Sequence, residues 1–178
     1  IHVVTTDVVT GTEVTLTEGP AVEALLASAA IPGIFPPIEI GGRLLFDGGV
    51  TNNTPASTAM RLGAERVVVL PTGFSCTVPK RPRGAIGMML HALTLLITRQ
   101  LLVDMERIAD RVELVVVPPL CPLTTFPHDF SHTRDLVQRA ERSTLDWLDA
   151  GGYERAGIPG SLRPHVHDGE HPACSTPR

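Results

Sequence analysis

The run Leu44-Leu45-Phe46-Asp47-Gly48-Gly49-Val50-Thr51-Asn52-Asn53-Thr54-Pro55 sets a carboxylate at the end of an apolar stretch and follows it at once with two glycines. The chemistry open to such a group is that of a general base. A serine hydroxyl is a weak nucleophile until a base takes its proton. A carboxylate can do so directly when it lies within hydrogen-bond reach and is poised by its surroundings. Leu44, Leu45 and Phe46 would partly desolvate Asp47 and make it more basic. Gly48 and Gly49 would let the chain turn with φ > 0 and let another group approach closely. Taken by itself, Asp-Gly-Gly is more often a plain turn, because these residue types are common in turns. Asn52 and Asn53 would cap the next helix or fill left-handed turns, which is compatible with positioning the loop that holds Asp47.

Other polar clusters carry weaker signals. No Gly-x-Ser-x-Gly occurs in the chain; Gly73-Phe74-Ser75-Cys76-Thr77 lacks the second glycine, and Ser75 reads as a loop serine. Ser28, in Ala27-Ser28-Ala29, reads as a small packing residue near the site. His128, Asp129, Ser131 and His132 are adjacent in sequence, whereas triad members are usually assembled by the fold; Ser131 as a helix N-cap explains them better. His165, His167 and His171, with Asp168 and Glu170, are metal-ligand types, but a His-rich disordered tail is the commoner case. No cofactor or metal is expected.

These residues must be positioned by strands and helices in alternation. Residues 2–9 and 13–17 read as strands around the Thr10-Gly11-Thr12 turn. Gly19-Pro20 opens a helix bearing Val22, Leu25, Leu26 and Ala29, with Pro20 at its first position. Residues 38–40 and 44–46 form a hairpin around Gly41-Gly42. Thr54-Pro55 caps a helix that Gly63 ends. Residues 67–70 read as a strand buried on both faces of a parallel sheet. A long helix is expected over 84–107, a strand over 111–117, and a helix from Ser131 to about residue 148, closed by Gly151-Gly152. Alternation of this kind argues an α/β domain with a largely parallel sheet. Residues 158–178 read as a disordered tail.

The chain has 178 residues, about one domain, and its net charge of −4 gives no reason to expect a nucleic-acid partner. Lys80, Arg81 and Arg83 make a short basic knot that reads as a solvated loop. Cys76, Cys121 and Cys174 are an odd number without metal spacing, so a reducing, cytoplasmic compartment is the default. The stretch 85–97 is nearly all apolar but shorter than the roughly 20 residues of a membrane span. A buried helix is the first expectation; the rival is a lipid-facing surface, for which Met88 and Met89 would suit acyl contact. Ile1 already lies in a strand-like run, as if sequence preceded it.

Several segments together resemble the C-terminal half of a patatin-like phospholipase domain. They are Ala27-Ser28-Ala29-Ala30-Ile31-Pro32-Gly33-Ile34-Phe35-Pro36-Pro37, Asp47-Gly48-Gly49, Asn52-Asn53-Thr54-Pro55, and Leu62-Gly63-Ala64 before a Val-rich strand. The resemblance is strongest over residues 5–72. It implies a three-layer α/β/α fold, incomplete here at its N-terminus, with residues 1–157 forming the C-terminal portion of the domain. It implies hydrolysis of lipid acyl esters by a Ser-Asp pair. Asp47 would be the base, supported by Gly48, Gly49, Asn52 and Asn53, and the serine elbow and oxyanion loop would lie upstream. A lipid or other acyl-ester substrate and peripheral membrane contact follow from the same resemblance. The first strand would then pair with upstream strands and be left as an exposed edge here. The rival readings are a truncated, non-catalytic module that binds lipid or a partner, and an unrelated α/β domain sharing a turn.

Overall fold

The computed structural model describes residues 1–72, 84–123, 125, 130–163 and 165. Ser75, Cys76, Cys174, the Lys80–Arg83 knot, His128, Asp129, His167 and His171 lie outside them. The chain divides into two units, Ile1–Pro55 and Ala56–Arg178. Both mix helices and strands, as the α/β reading requires.

The first unit is a four-stranded sheet with one helix packed on it. Strand β1 (Val3–Asp7) turns back into β2 (Glu13–Leu16), helix α1 (Ala21–Ser28) follows, and β3 (Ile38–Ile40) and β4 (Arg43–Asp47) make a second hairpin. The order is β2-β1-β4-β3 and every pairing is antiparallel. This corrects the expected largely parallel sheet. Connections as short as Val8–Thr12 and Gly41-Gly42 reverse the chain and permit only antiparallel neighbours. It also corrects the exposed first strand: β1 is internal, with β2 on one side and β4 on the other.

Helix α1 faces the strands with Ala24 and Ala27, followed by buried Ala30, and leaves Val22, Leu25 and Leu26 exposed. The stripe expected from the larger residues is therefore turned outward. Methyl side chains let the helix backbone lie close to β1 and β4, which leucines would hold off. Pro20 is the N-cap rather than the first helical residue. The buried residues of β1 and β4 are Val4, Thr5, Thr6, Asp7 and Leu45. Both buried threonines are satisfied: Thr5 Oγ1 donates to the Val14 carbonyl at 3.0 Å, and Thr6 Oγ1 donates to the Asp47 carbonyl at 3.0 Å.

The second unit contains α3 (Ala56–Arg61), β5 (Arg66–Val69), α4 (Gly84–Ile108), β6 (Glu113–Val116) and α5 (Thr133–Asp149); the one-turn helix α2 (Gly49–Asn52) belongs to the first. Strands β5 and β6 pair in parallel, and the backbone at Gly157 extends the pair through a bridge to Val115. Strand β5 buries Val67 and Val69 but exposes Val68, so it is covered on one face and not on two. The core gathers Ala56, Val67, Val69, Leu101, Met105, Ile108, Leu114, Val116 and Leu162.

Helix α4 covers the range expected for it, but only its C-terminal half is buried, at Leu101, Asp104, Met105 and Ile108. Met88, Met89, Leu95 and Leu96 are exposed, Leu96 at 65%. No described residue of the stretch 85–97 is buried, so the buried helix expected there is not what the structure has; burial begins at Leu101. Residues Gly87–Ile108 are long and apolar enough, by length and composition, to cross a membrane.

Two boundaries differ from expectation. Ser131 does not cap α5: it sits in a 3-10 turn, Phe130–His132, and His132 is the N-cap, making no side-chain capping bond. Thr133 Oγ1 donates to the Phe130 carbonyl at 2.7 Å. The chain also does not leave the fold at residue 158. Ile158 packs on the core, and Leu162, in a 3-10 turn, is fully buried at 0% exposure. A single leucine in a polar segment suffices when a hydrophobic slot is waiting for it.

Candidate functional site

Asp47 is the last residue of β4, in register with Thr5 of β1. Three bonds fix its backbone and side chain. Its N–H donates to the Ala30 carbonyl at 3.1 Å, its carbonyl accepts from Thr6 Oγ1, and its Oδ1 accepts the Gly49 N–H at 2.7 Å. The carboxyl is half-buried. Burial pushes its pKa above the usual carboxylate range, and the Gly49 N–H pulls it partly back. The result is a carboxylate made more basic by its surroundings and held from the backbone side by one donor.

The two glycines act differently from the sequence expectation. Gly48 has φ −63° and ψ −21°, and neither Gly48 nor Gly49 is among the glycines with positive φ. What Gly48 requires is room. A Cβ there would sit 2.3 Å from the Val4 carbonyl oxygen and 2.7 Å from its carbon. The chain leaves β4 in tight contact with the backbone of β1, and only a residue without a side chain fits.

Gly49 begins α2, a single turn at the exit from β4. The Thr51 N–H donates to the Gly48 carbonyl at 3.1 Å and the Asn52 N–H does so at 2.7 Å. Thr51 Oγ1 and Thr6 Oγ1 lie 2.9 Å apart, tying the turn to β1. Asn52 is buried, and its Nδ2 donates to Glu13 Oε2 of β2 at 2.9 Å. Asn53 is exposed and closes α2 in right-handed conformation, φ −65°. Among the described residues no non-glycine has positive φ, so neither asparagine fills a left-handed turn. Asn52 instead crosses to the far hairpin, bracing the turn that begins with Asp47.

Sequence reasoning missed the partners of this brace. Thr6, Glu13 and Thr51 carry no motif; they come to Asp47 and Asn52 through the register of three strands. Ser28, at the end of α1, precedes by two residues the Ala30 carbonyl that receives the Asp47 N–H. Of the histidines in the tail, His165 joins no metal site: among the described residues no three His, Cys, Asp or Glu side chains gather as one.

Comparison with known proteins finds a likeness that covers most of this unit and runs past its end. Residues 3–60 match the model of the patatin-like phospholipase family. An uncharacterized NTE family protein of Mycobacterium bovis is 36% identical over 78 residues, 44% of this chain and 22% of its own length. An uncharacterized NTE family protein of Mycobacterium tuberculosis H37Rv shows the same identity and coverage. A second M. bovis NTE family protein is 43% identical over 54 residues, 30% of this chain and 9% of the relative. The matched part thus spans about a fifth of the first relatives, or less.

Proposed function

We propose, from the patatin-like character of residues 3–60, that this chain is the acid-bearing portion of a lipid acyl hydrolase and that Asp47 is its catalytic base. The observation that carries the reading is the half-buried carboxylate at the end of β4. Its pKa is raised by burial, and it is held by backbone bonds within the family-matched segment.

In the complete protein, Asp47 takes the proton from a serine supplied by sequence upstream of Ile1. The serine oxygen attacks the ester carbonyl, Asp47 gives the proton to the departing alcohol oxygen, and an acyl-enzyme and a free carboxylate remain. The same carboxylate then draws a proton from water, which attacks the acyl carbonyl and releases the fatty acid. Gly48 and the α2 turn, braced by Asn52, hold the carboxylate in place; Asn53 closes the turn.

The test is ester turnover by the complete protein carrying Asp47→Ala, with a fluorophosphonate probe as second readout. Loss of turnover with the fold retained supports the reading. Near-wild-type turnover sinks it. A complete protein that neither hydrolyses esters nor takes up the probe would instead favour a non-catalytic module that binds lipid or a partner. Probe uptake by the 178-residue chain alone would place the nucleophile within it and overturn the upstream serine.

A further inference from the structure

A second reactive arrangement lies in the other unit, independent of Asp47. Cys121, beyond β6, and His165, beyond the Gly160–Leu162 turn, are 44 residues apart in sequence. Cys121 Sγ lies 3.2 Å from His165 Nε2. The other ring nitrogen, Nδ1, lies 2.7 Å from the Arg163 carbonyl oxygen. A carbonyl only accepts, so Nδ1 carries the hydrogen, and in the neutral ring the Nε2 lone pair points to the thiol. A carbonyl orients the imidazole, and the imidazole faces a thiol: this is the nucleophile–base–orienter order of an activated cysteine.

Both arms are held in place. Leu162 is buried in the core, and Arg163 pairs with Glu106 of α4 at 2.9 Å, which fixes the His165 arm. On the Cys121 side, Arg139 of α5 donates to the Pro122 carbonyl at 3.3 Å while keeping an ion pair with Asp135 at 3.4 Å. Among the described residues, charged groups tied to this corner include Arg163 with Glu106, and Arg139 with Asp135. Cys121 itself is partly exposed.

We infer that Cys121, paired with His165, is an activated thiol and a site of covalent modification by small soft electrophiles. The thiol proton passes to His165 Nε2, leaving thiolate and imidazolium. The ring's two N–H groups are then met by the sulfur and by the Arg163 carbonyl. The thiolate electron pair forms a bond to the electrophilic carbon as the leaving group departs with its own pair. His165 afterwards releases its proton to water.

The experiment is alkylation of the full chain by iodoacetamide, with labelling rates read by peptide mass spectrometry at Cys76, Cys121 and Cys174. A cysteine beside a protonated histidine ionises well below the ordinary thiol range of about 8.5. The gain in thiolate outweighs the lower intrinsic nucleophilicity of a more acidic thiol. At about pH 6, Cys121 is expected to react roughly tenfold faster than the other two cysteines. The deciding quantity is the ratio of Cys121 rates at about pH 6 and about pH 9, because at the higher pH an ordinary thiol ionises unaided. His165→Gln is expected to lower that ratio roughly tenfold. A change in access alone would alter both rates and leave the ratio where it was. An unchanged ratio in His165→Gln, or Cys121 labelling at pH 6 no faster than Cys76 and Cys174, overturns the inference.

Discussion

Asp7 and Asp47 end two neighbouring strands of one sheet, and their carboxyls move in opposite directions. Asp7 closes β1 and is in register with Leu45; Asp47 closes β4 and is in register with Thr5. In each, the side chain turns back to accept the N–H two residues on. Asp7 Oδ1 accepts both Val9 N–H and Thr10 N–H at 2.9 Å. The Thr10 N–H contributes most to holding that carboxyl below the usual range, with smaller help from Val9, the Thr10 hydroxyl and the Arg43 charge against the cost of burial. Asp47 has Gly49 alone, and burial wins. The same residue type at the same kind of strand end is thus a hairpin clamp in one place and a carboxyl made more basic by burial in the other. A second backbone donor, the Thr10 hydroxyl and, least of all, the Arg43 charge make the difference, against a burial that weighs most at Asp47.

Activity gives the widest separation between the two. In the complete protein, Asp47→Ala should lower ester turnover by ~10²-fold or more, the scale of losing a general base. Asp7→Ala should leave the turnover of the folded fraction within a small factor. Comparable losses in both would mean that Asp47 acts only through the fold.

Next comes the backbone at each strand end. Gly48→Ala should destabilise the protein by ~1–3 kcal/mol or more, since its Cβ meets the backbone of Val4. Gly11→Ala, in the Asp7 hairpin, has open space but φ +66°, and should cost only about 1 kcal/mol through conformation. Chemical denaturation of both variants checks the order. Asn52→Ala removes the bond to Glu13 and should cost about 1 kcal/mol, with a smaller loss of turnover than Asp47→Ala.

The smallest effect is in the pH dependence of stability, and its sign differs between the two residues. For Asp47 the folded pKa lies above the unfolded one. Its stabilising contribution is complete below the unfolded value and is lost as pH rises through the folded value. For Asp7 the folded pKa is depressed, so its contribution is present above the unfolded value and is lost as pH falls through the folded one. Melting curves across the acid range should show Asp47→Asn gaining on the wild type as pH rises and Asp7→Asn losing ground. Parallel trends would remove the contrast.

Much of the scaffold was legible. The turn residues at Gly11, Gly41-Gly42 and Gly63 mark where elements end, and the Val-rich runs at 3–7 and 66–69 mark strands, because these signals are local. The segment around Asp47 carried its likeness in ordered, unusual motifs. The helix faces were not legible. In α1 the larger apolar residues pointed to one stripe, yet the alanines face the sheet, because the distance between helix and strands is set by the sheet. Nor did the sequence of β1 tell that it would sit between β2 and β4. For the same reason Glu13 as partner of Asn52, Thr6 as partner of Thr51, and Cys121 facing His165 had no signal in their spacing.

The sequence by itself determined the local vocabulary: which stretches extend, which coil, where the chain reverses, and that Asp47 ends an apolar strand. Tertiary structure alone decided what Asp47 experiences. Its basicity comes from burial set against a single backbone donor, and the need for glycine at 48 comes from the nearness of Val4. Both are distances between residues far apart in the chain, and distance governs desolvation, hydrogen bonding and steric exclusion alike.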